Sequence, residues 1–290
     1  QKDRHVHMKG FRMPRRTGRM PRPLTQLLRG AALTLVAACG TTYQLPDSGG
    51  VHTEEARRLF AEARREPARA PLSAGAAQAR FNRVAPRVSA AGRQYCQRLT
   101  ADRAGFNCNV DLAIDREMAE RNAYFTYAEA QPTIRISLPL IRDTASDDEV
   151  AFVLAHEYGH LIGRHIEKQQ QQMLAGALLV GVLAGVATAT AGDYDGHAVE
   201  VGLGVGAAAG SIAYSQAYEL ESDTLGTRIT VSAGYDPVAG AKFFARPEPT
   251  RTAAGRYSFW GTHPPDEKRV ATVLATKAEI DARIDLRPVQ

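Results

Sequence analysis

The chain has 290 residues, 44% of them hydrophobic and 23% charged, with a formal net charge of +5. This composition excludes a wholly disordered chain and a polytopic membrane protein. A positive charge favours nucleic-acid binding only where it lies on the folded part of the chain. Residues 1–38 hold nine of the 36 Lys and Arg and one of the 31 Asp and Glu, so they carry +8 and residues 39–290 carry −3. We therefore expect no nucleic acid among the partners.

The basic N-terminal extension has the pattern of a bacterial secretion signal. Two arginines precede an apolar run over residues 30–38, and small residues stand before Cys39. This order predicts a lipoprotein signal over residues 1–39, with Cys39 as the lipidated residue. Acyl chains on Cys39 would anchor the protein to a membrane. Because no Asp follows Cys39, we expect the periplasmic face of the outer membrane. An N-terminal helix with a buried free thiol is the alternative.

Two further cysteines, Cys96 and Cys108, have eleven residues between them. An exported compartment permits disulfide bonds, so the pair is a candidate disulfide. Two separate buried thiols are the alternative. The sequence has no second Cys pair to complete a zinc site, which argues against a metal role for these two.

The first elements are predicted from composition and periodicity. Residues 40–79 are rich in Ala, Arg, Pro and Gly and predict a tether with one short helix near residues 54–65. Apolar residues spaced by three and four predict a helix over residues 80–103. Alternating or aromatic-rich patterns predict three strands. These strands cover residues 109–114, 122–128 and 133–138.

The second half is predicted to be helical. Ser146 and Glu149 form a capping box that begins a helix running at least to residue 170. Further helices are predicted over residues 212–233, from Asp236-Pro237, and over residues 266–282. Three successive strands surrounded by helices predict one mainly helical α+β domain over residues 80–290.

The capped helix carries the motif His156-Glu157-Tyr158-Gly159-His160. Residues four apart project from nearly the same side of a helix, so both imidazoles can bind one Zn²⁺. Glu157 lies about 100° around the helix and can act on a water molecule without being a ligand. The motif predicts one Zn²⁺ per chain. The alternative is two solvent-facing histidines, although the flanking residues are of core type.

A catalytic zinc held by two histidines needs a third protein ligand. The candidates are His165, Glu167, Glu219, Glu221 and His263. Glu219 is favoured because Asp223, one turn further on the same predicted helix, can accept the free ring N–H of a zinc-bound histidine. Ligation by His165 would need the helix to break at Gly163. Glu221 faces elsewhere and is expected at the surface.

Two uncharged runs rich in Gly and Ala separate these helices, over residues 173–192 and 201–217. We expect a helical hairpin insert at about residues 173–217, packed over the active-site side. A transmembrane hairpin and a disordered loop are the alternatives.

The order of these motifs resembles zinc peptidase family M48, gluzincins that include prenyl-protein proteases and the Oma-type branch. The resemblance covers about residues 80–282. It rests on the His156–His160 motif, on Glu219-Leu220-Glu221-Ser222-Asp223, and on Thr262-His263-Pro264-Pro265. The family usually has Ala at the position of Ser222.

The resemblance implies a role for each matching residue. His156, His160 and Glu219 would bind zinc, Glu157 would be the catalytic base, and Asp223 would support a ligand. His263 would steady an oxyanion or fill the open metal position at rest. Asn122 and Ala123 match the pair beside the edge strand that aligns substrate, and His165 matches a histidine with a structural role.

From this resemblance we expect a gluzincin-type metalloendopeptidase that cleaves unfolded or misassembled cell-envelope proteins in quality control. The alternative is a chaperone-like envelope lipoprotein whose zinc site is latent and plugged by His263.

Overall fold

The computed structural model describes residues 40–66, 69–175, 177, 215–246 and 258–289. They belong to one compact unit, Cys39–Gln290. The predicted signal with Cys39 and most of the predicted apolar hairpin lie outside the described residues. Among the helices that are described, none combines the length and the apolar character needed to cross a membrane.

A small sheet lies on one side of the domain. Its strands are β1 (Asp111–Asp115), β2 (Ala123–Ala128) and β3 (Gln131–Ser137). The order is β1-β3-β2, with β3 parallel to β1 and antiparallel to β2. Each predicted strand is present within two residues of its expected ends. The sheet therefore leaves β2 at one edge.

Helices make up most of the rest, so the predicted α+β fold is confirmed. They are α1 (Val51–Arg65), α2 (Ala74–Leu99), α3 (Leu138–Asp143), α4 (Asp147–Gly163), α5 (Gln216–Ser232), α6 (Pro237–Ala241), α7 (Phe259–Thr262) and α8 (Glu267–Asp281). Three of them begin where predicted, and the side chains of Ser146, Asp236 and Asp266 accept hydrogen bonds from the first turns of α4, α6 and α8. A disulfide joins Cys96, in the last turn of α2, to Cys108.

Helix α4 forms the centre of the domain and is buried on every side from Glu149 to Gly163. It packs most closely against α5, where two glycines remove the side chains that would separate the helices. A Cβ atom at Gly159 would lie 2.6 Å from Cα of Ser222, and one at Gly226 would lie 3.0 Å from the backbone N of His156. This close approach brings the His156–His160 motif of α4 next to the sequence from Glu219 to Asp223 on α5.

The predicted end of α4 is wrong. The helix stops at Gly163 because Arg164 adopts a left-handed backbone conformation, with φ of 58°. Its N–H group bonds back to the carbonyls of the last turn, as at other left-handed helix ends. Residues 165–175 are helical again. This break turns His165 towards His160.

The short helix predicted within residues 40–79 is present as α1, but residues 40–66 pack against the rest of the domain. Tyr43 is 4% exposed and belongs to the main hydrophobic core. Helix α1 has an apolar face that packs on the apolar side chains of α8. An apolar face on a helix needs another surface to cover it. The many Ala, Arg, Pro and Gly residues of this segment made that face hard to recognise in the sequence. The N-terminal segment is therefore part of the domain.

Candidate metal centre

Three predicted ligands converge between α4 and α5. His156 and His160 project one turn apart from α4, and their Nε2 atoms are 3.0 Å apart. Glu219, in the first turn of α5, places Oε2 3.5 Å from Nε2 of His156 and Oε1 3.6 Å from Nε2 of His160. Together with His263 they offer four ligand atoms within 4.8 Å of one another, all on buried residues. This is the metal-ligand cluster.

The donor set of this cluster fits a metal ion. Both carboxylate oxygens of Glu219 are buried, and neither accepts a hydrogen bond from any residue that the structure describes. Burial of carboxylate oxygens that accept no hydrogen bond is costly. Two imidazoles and one carboxylate are a ligand set that zinc takes in catalytic sites. A cation between these side chains would satisfy both oxygens.

The second ring nitrogen of His156 is also fixed. Its Nδ1 lies 2.9 Å from Oδ1 of Asp223. Burial alone would lower the pKa of His156, but the carboxylates of Asp223 and Glu219 outweigh it and raise the pKa to about 9. Asp223 thus occupies the supporting position that the motif spacing predicts, and it leaves Nε2 facing the cluster.

Sequence reasoning missed Arg269, which is 1% exposed. Its Nε and Nη2 atoms each donate to Asp223 at 2.8 Å, and its Nη1 lies 3.2 Å from Oε2 of Glu219. The guanidinium also lies 3.7 Å from the ring centre of Phe244. Arg269 therefore balances two buried carboxylates. The sequence did indicate that Arg269 could be buried. It lies three and four residues before Thr272 and Val273, and this spacing places all three on one face of α8.

Glu157 points to the same space without joining the ligands. It is 1% exposed, and its Oε1 has no hydrogen-bond partner among the described residues. Burial raises the pKa of Glu157 to about 7, and the charge of His156 only partly opposes this. A carboxyl group with a pKa near neutrality can both accept and return a proton.

His263 follows α7 and stands beside Glu157, with its Nε2 3.6 Å from Oε1 of that residue. Its ring stacks on Phe259, with centres 4.6 Å apart, and its Nδ1 lies 2.9 Å from Oγ1 of Thr262. Burial lowers the pKa of His263 to about 3, against the opposing charge of Glu219. The ring is therefore neutral and can act as a ligand.

Asn122 and Ala123 lie at the start of β2, on the side of the sheet near α7. Oδ1 of Asn122 accepts a hydrogen bond from the N–H of Ala123 at 2.9 Å. The same oxygen accepts a bond from Oγ1 of Thr262 at 3.5 Å. The pair is thus connected to the loop that carries His263.

The remaining candidate ligands lie apart from the cluster. Glu167 accepts a hydrogen bond from the hydroxyl of Tyr127 at 2.9 Å. His165 places Nδ1 2.9 Å from Nδ1 of His160, behind the ligand. The expectation that Glu221 lies at the surface is wrong: it is fully buried and 2.8 Å from Nε2 of His165. The reason is that other parts of the domain cover this face of α5 too.

Known proteins show similarity to part of this chain. The beta-barrel assembly-enhancing protease of Yersinia pestis is 33% identical over 135 residues, 46% of this chain and 28% of that protein. The protein of the same name from Escherichia coli K12 is 30% identical over 135 residues, with the same coverage of both chains. Mitochondrial metalloendopeptidase OMA1 of Arabidopsis thaliana is 30% identical over 152 residues, 52% of this chain and 29% of its own length.

The chain thus matches less than a third of the length of each of these relatives. The sequence pattern of peptidase family M48 matches residues 86–277, which is about two thirds of the chain. That range contains the metal-ligand cluster, Glu157 and Asp223. The resemblance seen in the motifs is confirmed, and the chain belongs to peptidase family M48.

Proposed function

We propose that this chain is a zinc-dependent endopeptidase. The observation that carries the proposal is the buried cluster of His156, His160 and Glu219 with the carboxyl group of Glu157 beside it. Zinc is the metal that such a ligand set holds in hydrolases, one ion per chain. Membership of a metallopeptidase family supports the same chemistry.

The protein side chains would divide the work of peptide hydrolysis. When bound, zinc supplies a Lewis acid for a peptide carbonyl and an acidic water. Glu157 takes the proton of the attacking water on Oε1 and returns it to the leaving amine. Asp223 and Arg269 keep His156 in the tautomer whose Nε2 faces the cluster. His263 is close enough to steady the developing oxyanion once substrate is bound.

We further propose that the substrate lies extended along β2. Edge strands bind peptides through backbone hydrogen bonds, with little sequence selectivity. Asn122 and Ala123 begin this edge, and Phe125 lies beside Glu157 along it. The N–H group of Ala123 must exchange its present acceptor, Oδ1 of Asn122, for a substrate carbonyl.

We place the enzyme in the bacterial cell envelope, anchored through Cys39 to the periplasmic face of the outer membrane. The basic leader and the small residues before Cys39 support export and lipidation. The disulfide between Cys96 and Cys108 suits an oxidising compartment. Two relatives are named as proteases that enhance β-barrel assembly. Unfolded or misassembled envelope proteins are therefore the proposed substrates, in quality control.

Zinc content and cleavage of casein test the proposal. We expect about one zinc per chain in the wild type and in Glu157→Gln, because Glu157 is not a ligand. Casein cleavage should be lost in Glu157→Gln and retained in the matched control Glu167→Gln, whose side chain contacts Tyr127. Cleavage at the wild-type rate by Glu157→Gln would refute the mechanism.

A second candidate function is a chaperone-like lipoprotein with a latent zinc site. The position of His263 within 4.8 Å of the ligand atoms favours it, because the imidazole can fill the place of water. If His263→Ala cleaves casein faster than the wild type, His263 is a plug; if it cleaves more slowly, His263 assists catalysis. Rescue of an envelope defect by Glu157→Gln would favour the chaperone-like function.

A further inference from the structure

Each metal-ligand histidine of α4 is held through the ring nitrogen that faces away from the cluster. Nδ1 of His156 lies 2.9 Å from the carboxylate of Asp223. Nδ1 of His160 lies 2.9 Å from another imidazole nitrogen, Nδ1 of His165. His165 in turn places Nε2 2.8 Å from Oε2 of Glu221. A second imidazole therefore stands between His160 and the carboxylate that orients it; we name His160, His165 and Glu221 the His160 relay.

One placement of the protons satisfies the hydrogen bonds of the His160 relay, with each donor pointing from His160 towards Glu221. When Nε2 of His160 faces the metal, its Nδ1 carries the proton and donates to Nδ1 of His165. His165 then has its proton on Nε2 and donates it to Glu221. Oγ of Ser222 lies 3.3 Å from Nδ1 of His165, further away than His160. All three side chains of the relay are fully buried. A rotation of Glu221 would therefore remove the acceptor that orients His165, and His165 orients the ring of His160.

The other oxygen of Glu221 is held from the opposite end of the sequence. Its Oε1 accepts hydrogen bonds from the backbone N–H groups of Thr42, at 2.6 Å, and Tyr43, at 2.7 Å. Nζ of Lys168 adds positive charge 3.7 Å from Oε2. The hydrogen bonds from these two backbone N–H groups to a carboxylate oxygen are charge-assisted, and they fix the orientation of the Glu221 side chain.

The segment that carries these two donors is itself fixed to the domain. The side chain of Tyr43 is 4% exposed, and its hydroxyl donates to the backbone oxygen of Leu99 at 3.1 Å. Nζ of Lys168 donates to Oγ1 of Thr42 at 2.7 Å. On its other side the segment pairs with residues 287–289. The backbone N–H groups of Thr42 and Tyr43 are therefore held in place and do not move with the Glu221 side chain if it rotates.

We propose that Thr42 and Tyr43 are positioning residues of the metal site. Their backbone N–H groups hold Glu221, and the His160 relay passes this constraint to the imidazole of His160, keeping its Nε2 aimed at the metal. The inference rests on the metal site proposed above. Without these donors a buried carboxylate oxygen would lose its partners, which favours reorientation of Glu221.

Proline substitutions in the full chain test the inference, because proline has no N–H group. Thr42→Pro removes one donor to Glu221 and also the threonine hydroxyl, whereas Thr42→Ala removes the hydroxyl alone. Gln44→Pro removes a neighbouring N–H group whose acceptor is the backbone oxygen of Arg287, 2.8 Å away. Comparison of the three variants separates the effect of losing the Thr42 N–H group from two other effects. These are the loss of the threonine side chain and the introduction of a proline into this segment.

Zinc affinity, measured by competition with a chelator, and the visible spectrum of Co²⁺-loaded protein report on the site. We expect Thr42→Pro to bind zinc about tenfold or more weakly, because loss of an outer partner costs about 10–100-fold. Its Co²⁺ bands should shift, while Thr42→Ala and Gln44→Pro match the wild type. Wild-type affinity and spectrum in Thr42→Pro would overturn the inference. A wild-type chain that binds no zinc would refute the proposed function instead.

Amide hydrogen exchange of the wild-type chain decides the question if Thr42→Pro does not fold. Coupling between two sites is reciprocal, so a segment that helps to bind zinc must be stabilised by zinc. We expect zinc to slow exchange at Thr42 and Tyr43 more than at Gln44, whose N–H has a different acceptor. Equal exchange at Thr42 and Tyr43 with and without zinc would overturn the inference.

Discussion

The burial of Glu157 predicts that Glu157→Gln stabilises the metal-free protein above neutral pH. The pKa of this carboxyl group is about 7 in the folded chain against an ordinary 4.5. The folded state thus binds the proton more tightly than the unfolded state. Its contribution to stability is fully present below pH 4.5 and is lost as the pH rises through 7. Glutamine has the same shape and no such titration.

The magnitude follows from the two pKa values. Each pKa unit corresponds to about 1.4 kcal/mol, so the ionised, buried carboxylate lowers the free energy of unfolding by about 3 kcal/mol above pH 7. We therefore expect Glu157→Gln to be more stable than the wild type by about 3 kcal/mol at pH 8, and by much less at pH 5.

Urea unfolding after treatment with a chelator measures this difference. Trp260 is the single tryptophan of the sequence and is fully buried, so its fluorescence reports the loss of the core. Glu62→Gln, on the exposed face of α1, makes the same chemical change and is the matched control. If Glu157→Gln is no more stable than the wild type at pH 8, or if the difference is equal at pH 5 and pH 8, the reasoning is wrong.

Three further predictions concern the surroundings of the cluster. Asp223→Asn removes one of the two buried carboxylates that balance Arg269 and should lower the free energy of unfolding by about 3–5 kcal/mol; zinc binding should weaken too, because His156 loses a charged acceptor. Gly159→Ala places a Cβ atom 2.6 Å from Cα of Ser222; separating α4 from α5 should cost about 1–3 kcal/mol and weaken zinc retention. Removing zinc with a chelator should lower the melting temperature and stop casein cleavage, and added zinc should restore both.

Each of these predictions has a contradicting result. Urea unfolding of Asp223→Asn at the wild-type midpoint would argue against the ion pair with Arg269. Wild-type stability and zinc affinity in Gly159→Ala would show that α4 and α5 are not in tight contact. A melting temperature that does not change with the chelator would contradict the metal site.

The start of α4 and its two histidines could be predicted because their signals are local. Ser146 and Glu149 mark the first turn, and the spacing of His156 and His160 matches one helical turn. The end of α4 had no such mark, because the left-handed residue is Arg164 and not a glycine. Left-handed arginine depends on surrounding packing, which a single sequence does not display.

Glu221 and Arg269 show a second limit of prediction. Helical spacing correctly separated Glu221 from the face of Glu219, but it could not show what covers the opposite face. The covering group is the segment of Thr42 and Tyr43, 178 or more positions away along the chain. Arg269 likewise meets Asp223 through a contact between residues 46 positions apart. Such contacts are set by tertiary packing and leave no local periodicity.

The spread of these supports along the chain also means that the metal-ligand cluster needs the whole domain. Glu221 is held by Thr42 and Tyr43, whereas Asp223 and Glu219 are balanced by Arg269 on α8. Without α8 the carboxylates of Asp223 and Glu219 have no guanidinium to balance them. A fragment that ends before Arg269 should therefore lack a stable metal site.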